Sequence, residues 1–441
     1  MSARPHLLYT AWGFPPSRAG GVYRALATVN AFAERGWDVT VLTTPRDTFL
    51  GSTGGDEALE RRIDPGVRVE RLPVSTPAFM SDLQKWPRAR ARHPELWAAA
   101  DWRHDLVRFP ERAYGRWRPT LERAARRVHG EHPVSLALGT ANPHVDFLSG
   151  WTLHRDAGIP FVMDYRDAWR LDVFSGRTVH SERSRVGRWE RRLQEAAEEI
   201  WFVNEPIARW HAERHPEVAE DMRVVANGFD EYELPLAVPV RAERDAGLRF
   251  GYIGTVSENV PIRELLEGWR LARRQSDLMR RATLVIHGYI GHFGSSGSAA
   301  DLLTEAVDDG VQFAGPVSKA TIGGVYQGFD ALVLALGTGR YVTSGKVYEY
   351  AATGIPIVSI HDPQNAATQV LEDAPAWDAA RSLAAPDVAS ALIAAAGRSQ
   401  AQTSADRAEA QRWGRRFERG EQLGARIEAL RESVDRREAR R

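Results

Sequence analysis

Residues 6–43 read HLLYTAWGFPPSRAGGVYRALATVNAFAERGWDVTVLT, and this stretch decides the fold class. An apolar run covers 6–12, a loop with Pro and Gly follows, residues 22–35 have helical periodicity, and a second apolar run covers 37–43. This order predicts a βαβ unit, which joins two parallel strands. Strands that alternate with helices form a parallel sheet covered on both faces, and ligands bind beyond the carboxyl ends of its strands.

The same alternation continues along the chain on both sides of a linker. The composition of residues 231–247, rich in Pro, Ala, Arg and Glu, is typical of a linker. We therefore predict an α/β protein with two Rossmann-like domains, at 1–235 and 236–403, and a charged helical segment at 404–441 that packs across both. The further predicted strands lie at 134–138, 160–163, 199–203, 222–225, 248–253, 282–287, 311–314, 331–335 and 355–360.

Composition excludes several classes of protein. A chain of 441 residues is long enough for two cores. Lys and Arg number 58, as do Asp and Glu, so no overall positive field attracts nucleic acid. Without cysteine, thiolate nucleophiles and disulfides are excluded. The N-terminus lacks a signal-peptide pattern and no run approaches about 18 apolar residues, so we expect a cytoplasmic protein.

One stretch of this electrically neutral chain has a clear excess of positive charge. Residues 85–127 contain 12 Lys or Arg against 5 Asp or Glu, with four tryptophans among them. Arginine interleaved with tryptophan is suited to a peripheral contact with a membrane surface or a phosphate-bearing lipid acceptor. Solvated helices with tryptophans on their core side are the alternative interpretation.

A glycine pair ends the loop between the first strand and the first helix. Gly20 and Gly21 allow close backbone approach at a helix N-terminus, where free N–H groups and the helix dipole attract a phosphate or carboxylate. Such pairs are also common for packing reasons alone. The loop has neither the G-x-G-x-x-G pattern nor a Walker lysine, which disfavours dinucleotide and P-loop sites.

A second signal lies at residues 343–359, which read TSGKVYEYAATGIPIVS. This pattern predicts a turn, a short helix that carries Lys346 and Glu349, and a buried strand after Gly354. With a turn, helix and strand in this order, a cation on the helix can bind a diphosphate, and a carboxylate can accept hydrogen bonds from both hydroxyls of a ribose.

This stretch resembles the donor-site segment of glycosyltransferase family 4, which has the pattern Ser-Lys-x-x-Glu-Tyr-x-Ala-x-Gly-x-Pro. The resemblance covers nearly the whole chain, because further motifs occur in the family's order. They are the glycine pair at 20–21, DYRDAW at 164–169, ANGFD at 226–230, YIGT at 252–255 and FAGP at 313–316.

The resemblance implies the GT-B fold, in which two Rossmann-like domains face a central cleft and a C-terminal helix crosses back. It places the donor nucleotide on the C-terminal domain and the acceptor mainly on the N-terminal one. It further implies that Glu349 binds the ribose, that Lys346 binds the diphosphate, and that Gly20 and Gly21 present amides to the donor phosphate. His144 lies near the family's cleft residue, with an ordinary loop histidine as the alternative. The resulting candidate catalytic residues are His144, Gly20, Gly21 and Lys346, and the candidate donor-binding residues are Gly254, Thr255, Arg263, Ser344, Gly345, Lys346 and Glu349.

Four polar residues are candidates for the acceptor side. Arg24 lies on the first helix, and Asp164, Arg166 and Asp167 follow the strand at 160–163. For Asp164, Arg166 and Asp167, the alternative interpretation is a structural Arg–Asp network that orders this edge of the sheet.

The chain departs from the family's pattern at three positions. Thr255 and Pro261 replace an Arg and a Lys that usually hold the diphosphate, and Arg263 with Lys346 could supply charge nearby. Tyr341 replaces the first of two glutamates, the one that usually addresses sugar hydroxyls. The transferred sugar is therefore expected to be unusual, for instance deoxygenated or amino-substituted.

The family implies transfer with retention of anomeric configuration. We expect no cofactor and no metal, because the sequence has no Asp-x-Asp or His-rich cluster. UDP-sugars are the expected donors, with GDP- and dTDP-sugars open, and the acceptor is a glycan, a lipid-linked glycan or a secondary metabolite. Two alternatives remain: a nucleotide-sugar epimerase of the same fold, and a degenerate partner subunit without catalysis.

Overall fold

The computed structural model describes residues 4–50, 54–74, 83–231, 234, 239–240, 247–257, 259–290, 297–318, 321–337 and 339–440. The chain divides into two compact units. Unit 1 comprises residues 1–172, 177–226 and 422–441, and unit 2 comprises residues 173–176 and 227–421. The predicted boundary after residue 235 and most of the predicted linker lie outside the described residues.

Unit 1 is built on a seven-stranded parallel sheet in the order β3-β2-β1-β4-β5-β6-β7. The chain order reverses between β1 and β4, where loops diverge and ligands bind in such sheets. Its strands are β1 His6–Thr10, β2 Asp38–Thr43, β3 Arg68–Arg71, β4 Leu136–Ala141, β5 Phe161–Tyr165, β6 Glu199–Phe202 and β7 Met222–Val224.

The helices of unit 1 connect these strands and cover the sheet. They are α1 Gly21–Glu34, α2 Arg46–Leu50, α3 Glu57–Glu60, α4 Arg88–Arg92, α5 Pro94–Arg108, α6 Arg118–Glu131, α7 Leu148–Ala157, α8 Arg185–Gln194 and α9 Glu205–Ala212. Short 3₁₀ helices cover Leu83–Lys85, Gly115–Trp117, His144–Phe147 and Pro216–Asp221.

Unit 2 repeats this design with a six-stranded parallel sheet in the order β10-β9-β8-β11-β12-β13. Its strands are β8 Arg249–Ile253, β9 Thr283–His287, β10 Val311–Gly315, β11 Ala331–Ala335, β12 Ile357–Ile360 and β13 Trp377–Ala379. Its helices are α10 Ile262–Gln275, α11 Asp277–Arg280, α12 Gly297–Glu305, α13 Ile322–Tyr326, α14 Gly345–Thr353, α15 Ala366–Leu371, α16 Ala385–Ala401 and α17 Ser404–Gly414, with 3₁₀ turns at Val307–Asp309 and Arg415–Phe417.

The last helix, α18 Arg419–Glu438, begins in unit 2 and belongs to unit 1 from residue 422 onward. Four buried side chains recur at helical spacing along it and join the core that β1, β2 and α1 form. They are Leu423, Ile427, Leu430 and Val434.

Every strand predicted from the sequence is present, and the described residues form two further strands that were missed. β3 has the sequence RVER and lies at one edge of its sheet, and β13 has only three residues at the edge of the other. Edge strands bury little apolar surface, so they lack the hydrophobic pattern that predicts a strand. Across the part of the chain that the structure describes, no helix combines the length and apolar character needed to cross a bilayer.

Candidate functional site

The N-terminus of α14 carries the residues of the strongest sequence motif. The hydroxyl of Ser344 caps the helix by accepting a hydrogen bond from the backbone N–H of Lys346 at 3.4 Å. Gly354 ends the helix in the left-handed conformation, with a φ of 67°, which favours glycine. Buried side chains, among them Val347 and Tyr350, hold α14 against the rest of unit 2. Lys346 and Glu349 lie three residues apart and therefore on neighbouring positions of one helix face.

Gly254, the residue after β8, makes room for the side chain of Lys346. A Cβ atom built on Gly254 would overlap Nζ of Lys346 and would lie 3.1 Å from the hydroxyl of Tyr252. The ammonium lies 5.4 Å from the centre of the Tyr252 ring. Burial lowers the pKa of Lys346 to about 8, and the negative charge of Glu349 opposes this shift. The structure thus holds a poorly solvated cation whose charge depends on pH near neutrality.

Glu349 is positioned by a residue that the sequence motif does not contain. The hydroxyl of Tyr326, on α13, donates a hydrogen bond to Oε2 of Glu349 at 3.1 Å. Burial, followed by the charge of Glu349, raises the pKa of Tyr326 well above its usual range, so this phenol remains a donor. The pair is 23 residues apart along the chain. No local pattern links the two, which explains why Tyr326 was missed.

Backbone contacts join the carboxyl ends of the strands beside Gly254. The N–H of Gly254 donates to the carbonyl of His287 at 2.7 Å, and the N–H of Gly288 donates to the carbonyl of Gly315 at 2.9 Å. Gly288 has a φ of 149°, and a Cβ atom there would overlap the carbonyl oxygen of Gly254. Gly288 was not predicted as a site residue, although it directly follows a predicted strand. The backbone at these strand ends is therefore tightly packed around Gly254, beside the side chain of Lys346.

The other predicted donor residues lie at different places in unit 2. Thr255 follows Gly254, and its carbonyl accepts a hydrogen bond from the hydroxyl of Tyr252 at 3.0 Å. Arg263 is exposed in the first turn of α10, which begins after Pro261. Gly345 is the first residue of α14. The structure brings Gly254, Ser344, Lys346 and Glu349 together, and within the described part of the chain no hydrogen bond or ion pair joins Arg263 to them.

Tyr341, at the position of the family's first glutamate, contacts residue 176, which belongs to the same unit. Gly176 has a φ of 70°, and a Cβ atom on it would lie 3.3 Å from Cε2 of Tyr341. The guanidinium of Arg340 lies 5.7 Å from the centre of the Tyr341 ring. An aromatic ring and a cation thus stand where the family's pattern has a carboxylate.

In unit 1, Arg24 and Asp164 form a buried ion pair. Nη2 of Arg24 lies 2.7 Å from Oδ1 of Asp164, and the hydroxyl of Thr140 donates to Oδ2 at 3.0 Å. Nη1 of Arg24 donates to the carbonyls of Val225 and Ala226 at 2.9 and 3.0 Å. Both charged groups are satisfied by protein atoms, and a role of Arg24 or Asp164 on the acceptor side stays a prediction. The pair ties α1 to β5 and to the end of β7.

His144 is also engaged by the protein. Its Nδ1 lies 3.0 Å from Oε1 of Glu111, its Nε2 lies 3.1 Å from the carbonyl oxygen of Asp167, and its ring stacks on Trp169 at 4.7 Å. The same glutamate accepts hydrogen bonds from the backbone N–H groups of His144 and Val145. A catalytic role for His144 stays a prediction, and the contacts observed are those of a structural histidine.

Gly21 lies against Arg166. A Cβ atom on Gly21 would lie 2.5 Å from Nη1 of Arg166, whereas one on Gly20 would meet no atom within 4 Å. Arg166 also forms an ion pair with Asp167, at 2.9 Å. The Arg166 guanidinium thus lies beside Gly21, and amide contacts of Gly20 and Gly21 with a phosphate stay a prediction. Among the described residues, no three His, Asp or Glu side chains are grouped to hold a metal ion.

Comparison with known proteins gives a family match in unit 2. The model of the family described as "Glycosyl transferases group 1" matches residues 247–399, which include β8, Gly254, Lys346 and Glu349. None of the curated protein sequences matches this chain at a significant level.

Solved structures match over almost the whole chain. HepE of Anabaena, in complex with UDP, is 15% identical with a TM-score of 0.61, over 97% of this chain and 99% of its own. A glycosyltransferase of Rickettsia africae is 11% identical with a TM-score of 0.59, over 98% and 99%. A Listeria monocytogenes protein described as a UDP-N-acetylglucosamine 2-epimerase is 10% identical with a TM-score of 0.54, over 98% of both chains.

At these identities the structural matches establish the fold, and the family match adds the sequence relationship of unit 2. The chain has the α/β fold of GT-B glycosyltransferases, and its residues 247–399 match the group 1 glycosyl transferase family.

Proposed function

We propose that the protein is a retaining glycosyltransferase that moves a sugar from a nucleotide-sugar donor to an acceptor hydroxyl. The observation that carries the proposal is the arrangement of Lys346, Glu349 and Gly254 at the N-terminus of α14. A carboxylate and a cation lie on one helix face there, next to the strand ends where ligands of parallel sheets bind.

In this proposal Glu349 accepts hydrogen bonds from the two ribose hydroxyls of the donor, and Tyr326 holds the carboxylate in place through its own hydrogen bond. Lys346 pairs with the diphosphate, and the free N–H groups of α14 favour negative charge at the same end. A diphosphate beside Lys346 would offset the burial that lowers the pKa of this lysine.

The chemistry we propose needs no protein carboxylate pair and no metal. The bond between the anomeric carbon and the diphosphate oxygen breaks, the acceptor oxygen bonds to that carbon on the same face, and the leaving diphosphate takes the proton of the acceptor hydroxyl. Cations and backbone amides contribute by stabilising the charge that develops on the leaving group. Because HepE of Anabaena occurs with UDP, we propose a UDP-sugar as the donor, with GDP- and dTDP-sugars as competitors to be tested.

A nucleotide-sugar epimerase is the second candidate, and the Listeria structure favours keeping it. An epimerase converts its nucleotide sugar without any acceptor, whereas a transferase releases UDP at a rate that an acceptor increases. A degenerate partner subunit would do neither.

The deciding experiment uses the full chain with UDP, GDP, dTDP and their common sugars in a thermal-shift panel, because ligands that bind the native state raise its stability. Each stabilising nucleotide sugar is then incubated alone, and the products are separated by chromatography. Stabilisation by UDP with slow release of UDP and no epimer supports transfer. Formation of an epimer supports the second candidate, and no stabilisation by any nucleotide contradicts both.

A further inference from the structure

A cavity of about 230 Å³ lies in unit 1 at the carboxyl ends of β1, β4 and β5. Three aromatic residues, Trp12, Phe49 and Tyr114, contribute to its wall, together with Arg166 and Asp146. A cavity of about 150 Å³ is enough to hold benzene. The cavity in unit 1 is therefore large enough for one substituted six-membered ring.

The aromatic wall favours a flat, largely apolar ring. The rings of Trp12 and Tyr114 meet edge to face, with their centres 4.8 Å apart and an angle of 90° between their planes. Rings of this kind bind other aromatic rings by offset or edge contacts. Burial raises the pKa of Tyr114 to about 12, so its hydroxyl stays neutral.

Arg166 supplies a cation that has an N–H group left for a ligand. Its Nε donates to the carbonyl of Ala141 at 3.3 Å, and its Nη2 pairs with Asp167, whose side chain is 49% exposed. No described residue forms a hydrogen bond with Nη1, the atom nearest to Gly21. An ion pair with so exposed a carboxylate is weak. A carboxylate on a bound ligand would therefore find a guanidinium that can form charge-assisted hydrogen bonds.

Asp146 lines the same cavity and is fully buried. Its Oδ2 accepts a hydrogen bond from the backbone N–H of Trp12 at 2.7 Å, but its Oδ1 is buried and receives no hydrogen bond from the described residues. A buried polar atom without a partner is costly, at about 1–3 kcal/mol. Burial also raises the pKa of Asp146 well above its usual range.

We propose that this cavity binds a single-ring aromatic carboxylate, with the ring against Trp12 and Tyr114 and the carboxylate at Arg166. The identification of this ligand as the sugar acceptor rests on the proposed function, since a ring hydroxyl would be the group that receives the sugar. The binding itself does not depend on it. Of the acceptor classes named above, such a ligand belongs to the secondary metabolites, as a small aglycone.

The test uses the full chain without nucleotide and measures binding by calorimetry. The probes are 4-hydroxybenzoate, its uncharged counterpart 4-hydroxybenzamide, and the polyol myo-inositol. We expect the carboxylate to bind about tenfold more tightly than the amide, because only the carboxylate pairs with Arg166. R166M should bring the two affinities within about twofold, and R166K should restore part of the preference. R155M, at an exposed arginine on α7, is the matched control and should keep the full preference.

Two results would overturn the inference: equal binding of the benzoate and the benzamide to the unchanged protein, or tighter binding of myo-inositol than of either. UDP affinity is measured in parallel, because it reports on unit 2. Binding of UDP without binding of 4-hydroxybenzoate overturns this inference and leaves the proposed function. Binding of 4-hydroxybenzoate without binding of any nucleotide supports the cavity and contradicts the proposed donor site.

Discussion

At the scale of single residues, the chemistry of Lys346 depends on the absence of a side chain at Gly254. The ammonium occupies the space that a Cβ atom would fill, and this position deprives it of solvent. The result is a lysine whose pKa is about 8, where an exposed lysine remains charged well above neutral pH. Its charge, and with it the proposed attraction for a diphosphate, is therefore sensitive to modest alkalinity.

The first prediction concerns pH. Below pH 8 Lys346 is protonated and can pair with a diphosphate, and above pH 8 the free protein loses this proton. UDP affinity should then fall by about tenfold between pH 7 and pH 9, since binding must take up a proton. Calorimetry at several pH values measures this slope.

The matched variant in this experiment is K346M, which keeps most of the length of the side chain and removes its charge. We expect weaker binding at pH 7 and a nearly flat pH dependence. The folding stability changes with pH in the opposite direction. The pKa of Lys346 is lower in the folded than in the unfolded state, so the folding stability rises as the pH rises above 8. If the UDP affinity of K346M depends on pH as steeply as that of the unchanged protein, a group other than Lys346 titrates.

The second prediction concerns Glu349. E349A should weaken UDP binding by about 1.5–3 kcal/mol, the range for hydrogen bonds to a charged group. E372A, at an exposed glutamate after α15, is the control and should bind UDP like the unchanged protein. Calorimetry checks both, and unchanged affinity in E349A would remove Glu349 from the donor site.

At the scale of elements, the unusual basic stretch runs from α4 through α5 into α6, and its arginines differ in whether they pair with carboxylates. Arg116, Arg118, Arg126 and Arg127 pair with carboxylates, for example Arg116 with Asp101 at 2.6 Å. Four other arginines are exposed on or beside α4 and α5, as are three large apolar side chains at 64–71% exposure and Trp102 at 37%. The exposed arginines are Arg88, Arg92, Arg103 and Arg112, and the apolar residues are Leu83, Leu96 and Val107.

The third prediction follows from this exposed group. We expect binding to vesicles that contain anionic lipid, with a contribution of about 1 kcal/mol for each basic residue at the surface and a loss of binding as salt rises. Flotation at low and high salt measures it. The double variant R88Q/R92Q should bind more weakly, and R274Q/R280Q, at exposed positions in unit 2, should not. No binding at low salt would favour solvated helices and a water-soluble acceptor.

At the scale of the whole molecule, each unit has its own parallel sheet and its own core, and the end of the chain completes the core of unit 1. The four buried side chains of α18 are each worth about 1.5–3 kcal/mol when fully buried, roughly 6–12 kcal/mol together. This amount is comparable to the entire stability of an ordinary domain, about 5–15 kcal/mol.

The fourth prediction is that truncation after Glu421 unfolds or severely destabilises unit 1 and leaves UDP binding by unit 2. Truncation after Arg437 removes residues 438–441, of which 438–440 are exposed, and should leave both unchanged. Hydrogen exchange measured peptide by peptide distinguishes the two units. Retained protection in β1 and α1 of the shorter chain would contradict the role assigned to α18.

The alternation of apolar runs and helical periodicity was sufficient to predict both parallel sheets, because it is a local property of the chain. The TSGKVYEY motif likewise predicted a helix that carries Lys346 and Glu349, since a cap and a short helix depend on neighbouring residues. The pKa of Lys346, the hydrogen bond from Tyr326, the Arg24–Asp164 pair and the buried Asp146 beside a cavity were decided only by tertiary structure. Burial and partner choice arise from contacts between residues far apart in sequence, and no local pattern encodes these contacts.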